Sequence, residues 1–129
     1  HPKATLPNRG TQGSAGYGLY IYRKIHLSPH SFQAVAIGWA RQMPSQYHTQ
    51  IRERSSLGIQ GIAVRAGIID SDYRGEISVV LHNLTATEYT LMPQAKIAQL
   101  LFIPNGIPDL VEVAELDNTQ RGNGSFSST

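Results

Sequence analysis

Glu76-Ile77-Ser78-Val79-Val80-Leu81-His82-Asn83-Leu84 is the strongest strand signal in the chain, rich in Val, Ile and Leu and free of Gly and Pro. Upstream of it, Ile59 to Val64 and Ile68-Ile69 flank Gly61 and Gly67, a pattern that predicts a glycine-punctuated hairpin. Downstream, Thr90 to Met92 and Ile97 to Ile103 read as two strands around Pro93. Residues 94–101 (QAKIAQLL) have helical propensity, but the following Phe102-Ile103-Pro104 favours a strand. Pro104-Asn105-Gly106 reads as a turn, with a short strand expected near Val111 to Val113. Toward the N-terminus, Tyr47 to Ile51 follows the turn Met43-Pro44-Ser45-Gln46. Residues 32–41 read as a half-buried strand through Phe32, Val35, Ile37 and Trp39. From Tyr17 to Phe32 the apolar Leu19, Ile21, Ile25 and Leu27 suit short strands. Regularly spaced short strands without a capped helix predict an all-β sandwich, barrel or jelly roll.

The ends are polar. Residues 1–14 read as an extended arm, and residues 117–129 as a Gly/Ser/Asn-rich tail. The 129 residues of the chain suffice for one domain, residues 1–129, and not for two. A net charge of +2 from dispersed basic residues argues against a nucleic-acid surface, whereas a small anion needs only a few well-placed arginines. With no cysteine, thiolate metal sites and disulfides are excluded. No apolar run approaches the roughly 20 residues of a membrane span, and no signal-peptide core is visible. The five histidines lack metal-ligand spacing and read as surface or turn residues.

Four clusters carry candidate chemistry. In Gly67-Ile68-Ile69-Asp70-Ser71-Asp72-Tyr73-Arg74-Gly75-Glu76, two apolar residues deliver an acid to a strand end, with an aromatic three residues on. Such a carboxylate can take a proton from water, although composition alone favours a plain acidic turn with Tyr73 packed on the surface. Arg54-Ser55-Ser56 offers a guanidinium fork and hydroxyls to a phosphate; the alternative is a solvated turn with Arg54 paired to Glu53 or Glu76. Arg121 to Thr129 combines glycines, a cation and Phe126, which fits either a ligand-covering loop or a disordered tail. In Lys96 to Leu100, the polar Gln99 interrupts an apolar strand, ordinarily as an outward-facing residue.

Taken in order, these clusters resemble the motifs of the trimeric dUTP diphosphatase (dUTPase) family, with a retroviral flavour. Residues 13–20 (GSAGYGLY) resemble the first motif, Arg54 to Leu57 the second and Gly67 to Glu76 the third. Gln94 to Leu100 resembles the fourth and Arg121 to Thr129 the fifth, so the likeness runs from Gly13 to the C-terminus. What the resemblance implies is a jelly-roll protomer in a homotrimer with exchanged C-terminal arms and sites shared between subunits. It implies hydrolysis of dUTP to dUMP and pyrophosphate, limiting uracil incorporation into DNA, with Asp70 activating the water that attacks the α-phosphate. Tyr73 would lie against the deoxyribose, and backbone near Val64, Gly67 and Ile69 would read the uracil edge. Arg54, Ser55, Ser56 and Gln99 would hold phosphates, Arg121 the γ-phosphate, and Phe126 would cover the base. Mg²⁺ would enter through the substrate phosphates rather than on protein ligands. A retroviral relative would be intracellular or virion-associated.

The chain also departs from the family pattern. Gly18 stands where the first motif carries an aspartate that helps organise the hydrated metal, which implies weakened Mg²⁺–triphosphate binding and reduced turnover. Ser127 replaces a tail glycine, Lys96 an arginine and Gln94 a glycine. Glu53 replaces Pro or Gly and is expected to place negative charge near the phosphates. These departures motivate an alternative, a catalytically weakened nucleotide-binding or protein-interaction module. Deaminase activity on dCTP, known in the same fold superfamily, is disfavoured by the tail and by IDSDY.

Overall fold

The computed structural model describes residues 1–126, so Ser127 and its tail-glycine question lie outside the described residues. Strands β1 (Tyr17–Tyr20), β2 (Ile25–Leu27), β3 (Ser31–Ala36) and β4 (Tyr47–Arg52) precede a single helical turn, α1 (Ser55–Gly58). Then come β5 (Ile62–Arg65), β6 (Ile68–Ile69), β7 (Ser78–Asn83), β8 (Tyr89–Leu91) and β9 (Lys96–Pro104). All pairings are antiparallel, in a four-stranded sheet β1-β9-β4-β6, a three-stranded sheet β3-β7-β5 and a β2-β8 pair. The protein is an all-β jelly roll, one of the three architectures that the strand spacing allows and the one that the resemblance implies. Among the described residues no helix is long and apolar enough to cross a membrane.

The core follows from strand alternation. Ile77, Val79 and Leu81 point inward from β7 and its approach, and meet Leu19, Ile21, Leu27, Val35, Ile37, Ile62, Ile97 and Leu100, all essentially inaccessible to water. Each such side chain contributes about 1.5–3 kcal/mol of burial, which fixes the register of every strand that carries one. Asn83, at the end of β7, and Thr49, on β4, are the buried polar exceptions, and the Asn83 amide is hydrogen-bonded at both ends.

Several expectations are corrected. β5 and β6 do not form a hairpin: β5 pairs with β7, and β6 with β4. The chain between them passes through Ala66 with φ 51° and changes sheets there, because Gly67 must lie against β4. A Cβ on Gly67 would come 2.3 Å from the carbonyl oxygen of Ile51, whose N–H bonds the carbonyl of Gly67 at 2.7 Å. The strand expected over 32–41 ends at Ala36, and Phe32 is not part of the half-buried face. It has the opposite parity to Val35 and Ile37, is 61% exposed and stacks on His82 at 4.0 Å. No strand forms at Val111 to Val113; the whole segment Ile107 to Leu116 is exposed and unpaired in this chain. The N-terminal segment lies along β1, with Gly18 N–H donating to Asn8 O at 2.7 Å.

Candidate functional site

β9 is the spine of the first half of the site. Its Gln99 is in register with Gly18 of β1 on one side and Arg52 of β4 on the other. Two glycines clear the space above it. A Cβ on Gly16 would sit 2.5 Å from Gln99 Oε1, and one on Gly18 would sit 2.9 Å from Lys96 Cδ and Cε. Gln99 Nε2 donates to the carbonyl of Glu53 at 2.9 Å, and Arg54 Nη1 to that of Lys96 at 3.0 Å. These bonds tie the segment entering α1 to β9. Arg54, Ser55, Lys96 and Gln99 therefore share a cleft of about 280 Å³ with Asn8 and Ser14. Its formal charges are both positive, and its other polar side chains are neutral. That chemistry suits an anion. The ion pair of Arg54 with Glu53 or Glu76 does not form; among the described residues Glu53 pairs with Arg52 instead, at 3.8 Å.

β6 carries the second half. It ends at Ile69, so Asp70 enters a turn closed by Tyr73 N–H donating to Asp70 O at 3.2 Å. The Asp70 carboxylate makes no hydrogen bond or ion pair among the described residues, and faces solvent. Tyr73 folds over Gly75, where a Cβ would lie 2.4 Å from its hydroxyl, and donates to Glu76 O at 2.9 Å. Ile69, Asp70 and Tyr73 thus line one cleft of about 260 Å³. Val64 and Gly67 line another of about 260 Å³, joined to the first through Ile68.

The two halves share no lining residue. Ser56 lies on the α1 turn beside, not among, the lining residues of the anion cleft. Arg121 and Phe126 lie in the exposed tail; Arg121 Nε donates to Gly124 O at 2.8 Å and Phe126 is fully exposed. Neither reaches any of these clefts.

Glu53 sits elsewhere than expected. Its carboxylate accepts the Val64 N–H at 2.8 Å and lines the Val64–Gly67 cleft, not the anion cleft. That bond holds its pKa below the ordinary 4.5, opposed by partial burial and aided by Arg52 and Arg65. A depressed folded-state pKa stabilises the fold above the unfolded value and is lost as pH falls through the folded one. Parent and Glu53→Gln proteins should therefore differ in thermal midpoint above pH of about 4.5, and converge as pH is lowered further. A gap unchanged down to pH of about 3 would show that the carboxylate charge is not what binds Val64.

Sequence reasoning missed Arg41. Its guanidinium reaches the carbonyls of Tyr73 (Nη1, 3.0 Å) and Asp70 (Nη2, 3.1 Å) and the hydroxyl of Thr49 (2.9 Å). Burial, and secondarily Arg74, lower its pKa from the usual arginine value. A lone cation at the end of an alternating segment gives no sign of such partners.

Mg²⁺ does not fit a site made by this chain alone. Among the described residues no three His, Cys, Asp or Glu side chains gather, and the anion cleft contains no carboxylate.

The comparisons agree with one another. The dUTPase family model matches residues 2–129. The chain is similar to the deoxyuridine 5'-triphosphate nucleotidohydrolase of Paramecium bursaria Chlorella virus 1, 39% identical over 127 residues, 98% of this chain and 90% of the relative. It is similar to the enzymes of that name from Helicobacter pylori (strain Shi470), 36% over 132 residues (100% and 91%), and Vaccinia virus (strain Copenhagen), 36% over 127 residues (98% and 86%). Among solved structures, a mutant Staphylococcus bacteriophage 80alpha dUTPase with dUpNHpp matches at a TM-score of 0.91 and 22% identity, over 99% of this chain and 93% of that one. A mutant dUTPase from phage phi11 of S. aureus, whose structure concerns coordination of a structural Mg(II) ion, matches at 0.82 and 20%, over 89% and 93%. At such identities the structural likeness speaks for the fold.

Proposed function

The chain belongs to the dUTPase family, and from that premise we propose that it hydrolyses dUTP to dUMP and pyrophosphate. The family and its named relatives support dUTP hydrolysis in general. The observation that carries the finer reading is the Asp70 carboxylate, held by its backbone at the end of β6, without a partner of its own and next to Tyr73. An unpaired carboxylate can accept a proton from a water aimed at the α-phosphorus. Tyr73 would flank the sugar, and backbone of Val64, Gly67 and Ile69 the uracil edge. Arg54, Ser55, Ser56 and Gln99 would hold the phosphate oxygens, where charge stabilisation and positioning account for most of phosphoryl-transfer catalysis.

The separation of the two halves supports a site completed by a second copy, because one triphosphate has to meet both the anion cleft and Asp70. A homotrimer satisfies this and gives the exposed Ile107, Leu110, Val111, Val113 and Leu116 a partner to cover them. Arg121 and Phe126 would then close the site of another subunit, gripping the γ-phosphate and the base. Mg²⁺ belongs to the substrate in this reading: the triphosphate supplies the negative oxygens that the anion cleft lacks.

Gly18 favours a slowed enzyme. Lys96 lies across it, with its Nζ 5.8 Å from the Tyr20 ring centroid, and no carboxylate stands at that wall to balance the cation. Pyrophosphate release from dUTP with Mg²⁺ tests the main reading; none above background, at high protein, would end it in favour of the nucleotide-binding or protein-interaction module. Gly18→Asp should raise turnover about tenfold or more, since the flexible end of Lys96 can move aside and pair with the new carboxylate. Unchanged turnover in that variant would show that Gly18 is not what slows the enzyme. Ammonia release from dCTP would instead revive the deaminase reading.

A further inference from the structure

Asp70 has to be held in place, yet nothing holds its side chain. Its main chain, by contrast, is gripped from below. Besides its bonds to Tyr73 O and Asp70 O, Arg41 reaches Ile69 O at 3.4 Å, so one guanidinium spans the loop from the last residue of β6 to Tyr73. Its root is firm. Nη2 also donates to Thr49 Oγ1, and Thr49 is completely buried on β4, in register with Ile69. The Arg41 Nε is buried without a partner among the described residues, on a side chain that is half-buried overall. Arg74 also touches the loop, through Ser71 O at 2.6 Å and Tyr73 O at 3.2 Å, but it is exposed to solvent.

We propose that Arg41 is a positioning residue for the hydrolysis assigned above: it aims the Asp70 carboxylate and the Tyr73 ring by clamping their main chain, without pairing with the carboxylate itself. The arrangement solves a chemical conflict. A cation bonded directly to a general base would hold it firmly but lower its basicity. A cation spent on the neighbouring carbonyls fixes the same residue and leaves its carboxylate oxygens free for water. The guanidinium suits this role because its planar fork places several donors at fixed angles, whereas an ammonium is a point charge that cannot span the same carbonyls.

This inference rests on the proposed activity, so the test separates the two. In the full chain, Arg41→Ala should lose about 10–100-fold in kcat, with KM for dUTP within about threefold, because misplacement of the base by about 1 Å has that effect while the phosphate contacts persist. Tens of millimolar guanidinium, below denaturing levels, should restore part of the loss, which a purely structural role would not allow. Arg41→Lys, which keeps the charge and guards against a variant that fails to fold, should still lose about tenfold, and the exposed Arg74→Ala less than about threefold. Amide exchange at Tyr73, whose N–H closes the turn, should quicken in Arg41→Lys. Parent-like kcat in folded Arg41→Ala or Arg41→Lys overturns the proposal, as does a loss carried in KM with no guanidinium rescue. If the parent releases no pyrophosphate, the functional reading fails; the clamp is then judged by exchange at Tyr73 alone, and parent-like exchange in Arg41→Lys ends it.

Discussion

Replacing Asp70 by asparagine is expected to lower dUTP turnover by about 10²–10⁴-fold, while affinity for a non-hydrolysable dUTP analogue stays within about threefold. Asparagine keeps the size of the side chain and can still hydrogen-bond water, but cannot take its proton at neutral pH. The loop should survive the change, because its bonds run through the main chain: Arg41 Nη2 and Tyr73 N–H both donate to the Asp70 carbonyl. The side chain faces solvent, so no buried partner is left unsatisfied. Pyrophosphate release and calorimetric titration with the analogue separate the two quantities. Parent-like turnover in Asp70→Asn would remove the proposed base and with it the reading of the second half-site. Loss of binding together with turnover would make Asp70 a ligand contact instead.

The largest stability effect is expected far from that loop. Asn83→Ala should destabilise the fold by about 2–4 kcal/mol, because it strands the buried carbonyl of Leu27 and removes the bonds to the half-buried Thr85 and the exposed Thr87 carbonyl. Asn83 Nδ2 donates to Leu27 O at 3.1 Å and Thr87 O at 2.9 Å, while its Oδ1 accepts from Thr85 N–H at 3.0 Å and Thr85 Oγ1 at 2.7 Å. One amide thereby joins β2, the end of β7 and the turn leading to β8. Its residue is also paired in register with Ser31 of β3 and Ile62 of β5, the two strands that flank β7 in the three-stranded sheet. Denaturant unfolding at fixed chain concentration measures the difference, the fixed concentration removing any contribution from assembly. A loss below about 1 kcal/mol would mean that water replaces the amide, and that the site is less dry than its full burial implies.

Much of the architecture was legible because strand patterning is local. Leu19, Ile21, Ile25 and Leu27 declare their buried face within a few residues, and all four are in the core. Within residues 94–101 the adjoining Phe102-Ile103-Pro104 outweighs helical propensity, and the strand β9 runs Lys96–Pro104. The failures came where a decision depended on distant chain. Ile62–Arg65 and Ile68–Ile69 look like hairpin partners, but each has a longer-range strand to pair with, so the turn at Ala66 separates sheets instead of joining them. Val111 to Val113 has strand-forming residues and no neighbour in this chain to accept its hydrogen bonds.

By itself the sequence determined the all-β class, the buried side of its principal strands, and the family whose ordered motifs it carries, because these depend on residue type and short spacing. Tertiary structure alone decided that Arg54 and Gln99 share one cleft while Asp70 and Tyr73 share another, that Glu53 turns its charge toward Val64, and that Arg41 lies beneath the acid loop. Those outcomes depend on which strands meet across the sheets. Such meetings are selected by the closure of the whole core, which no local run of residues can encode.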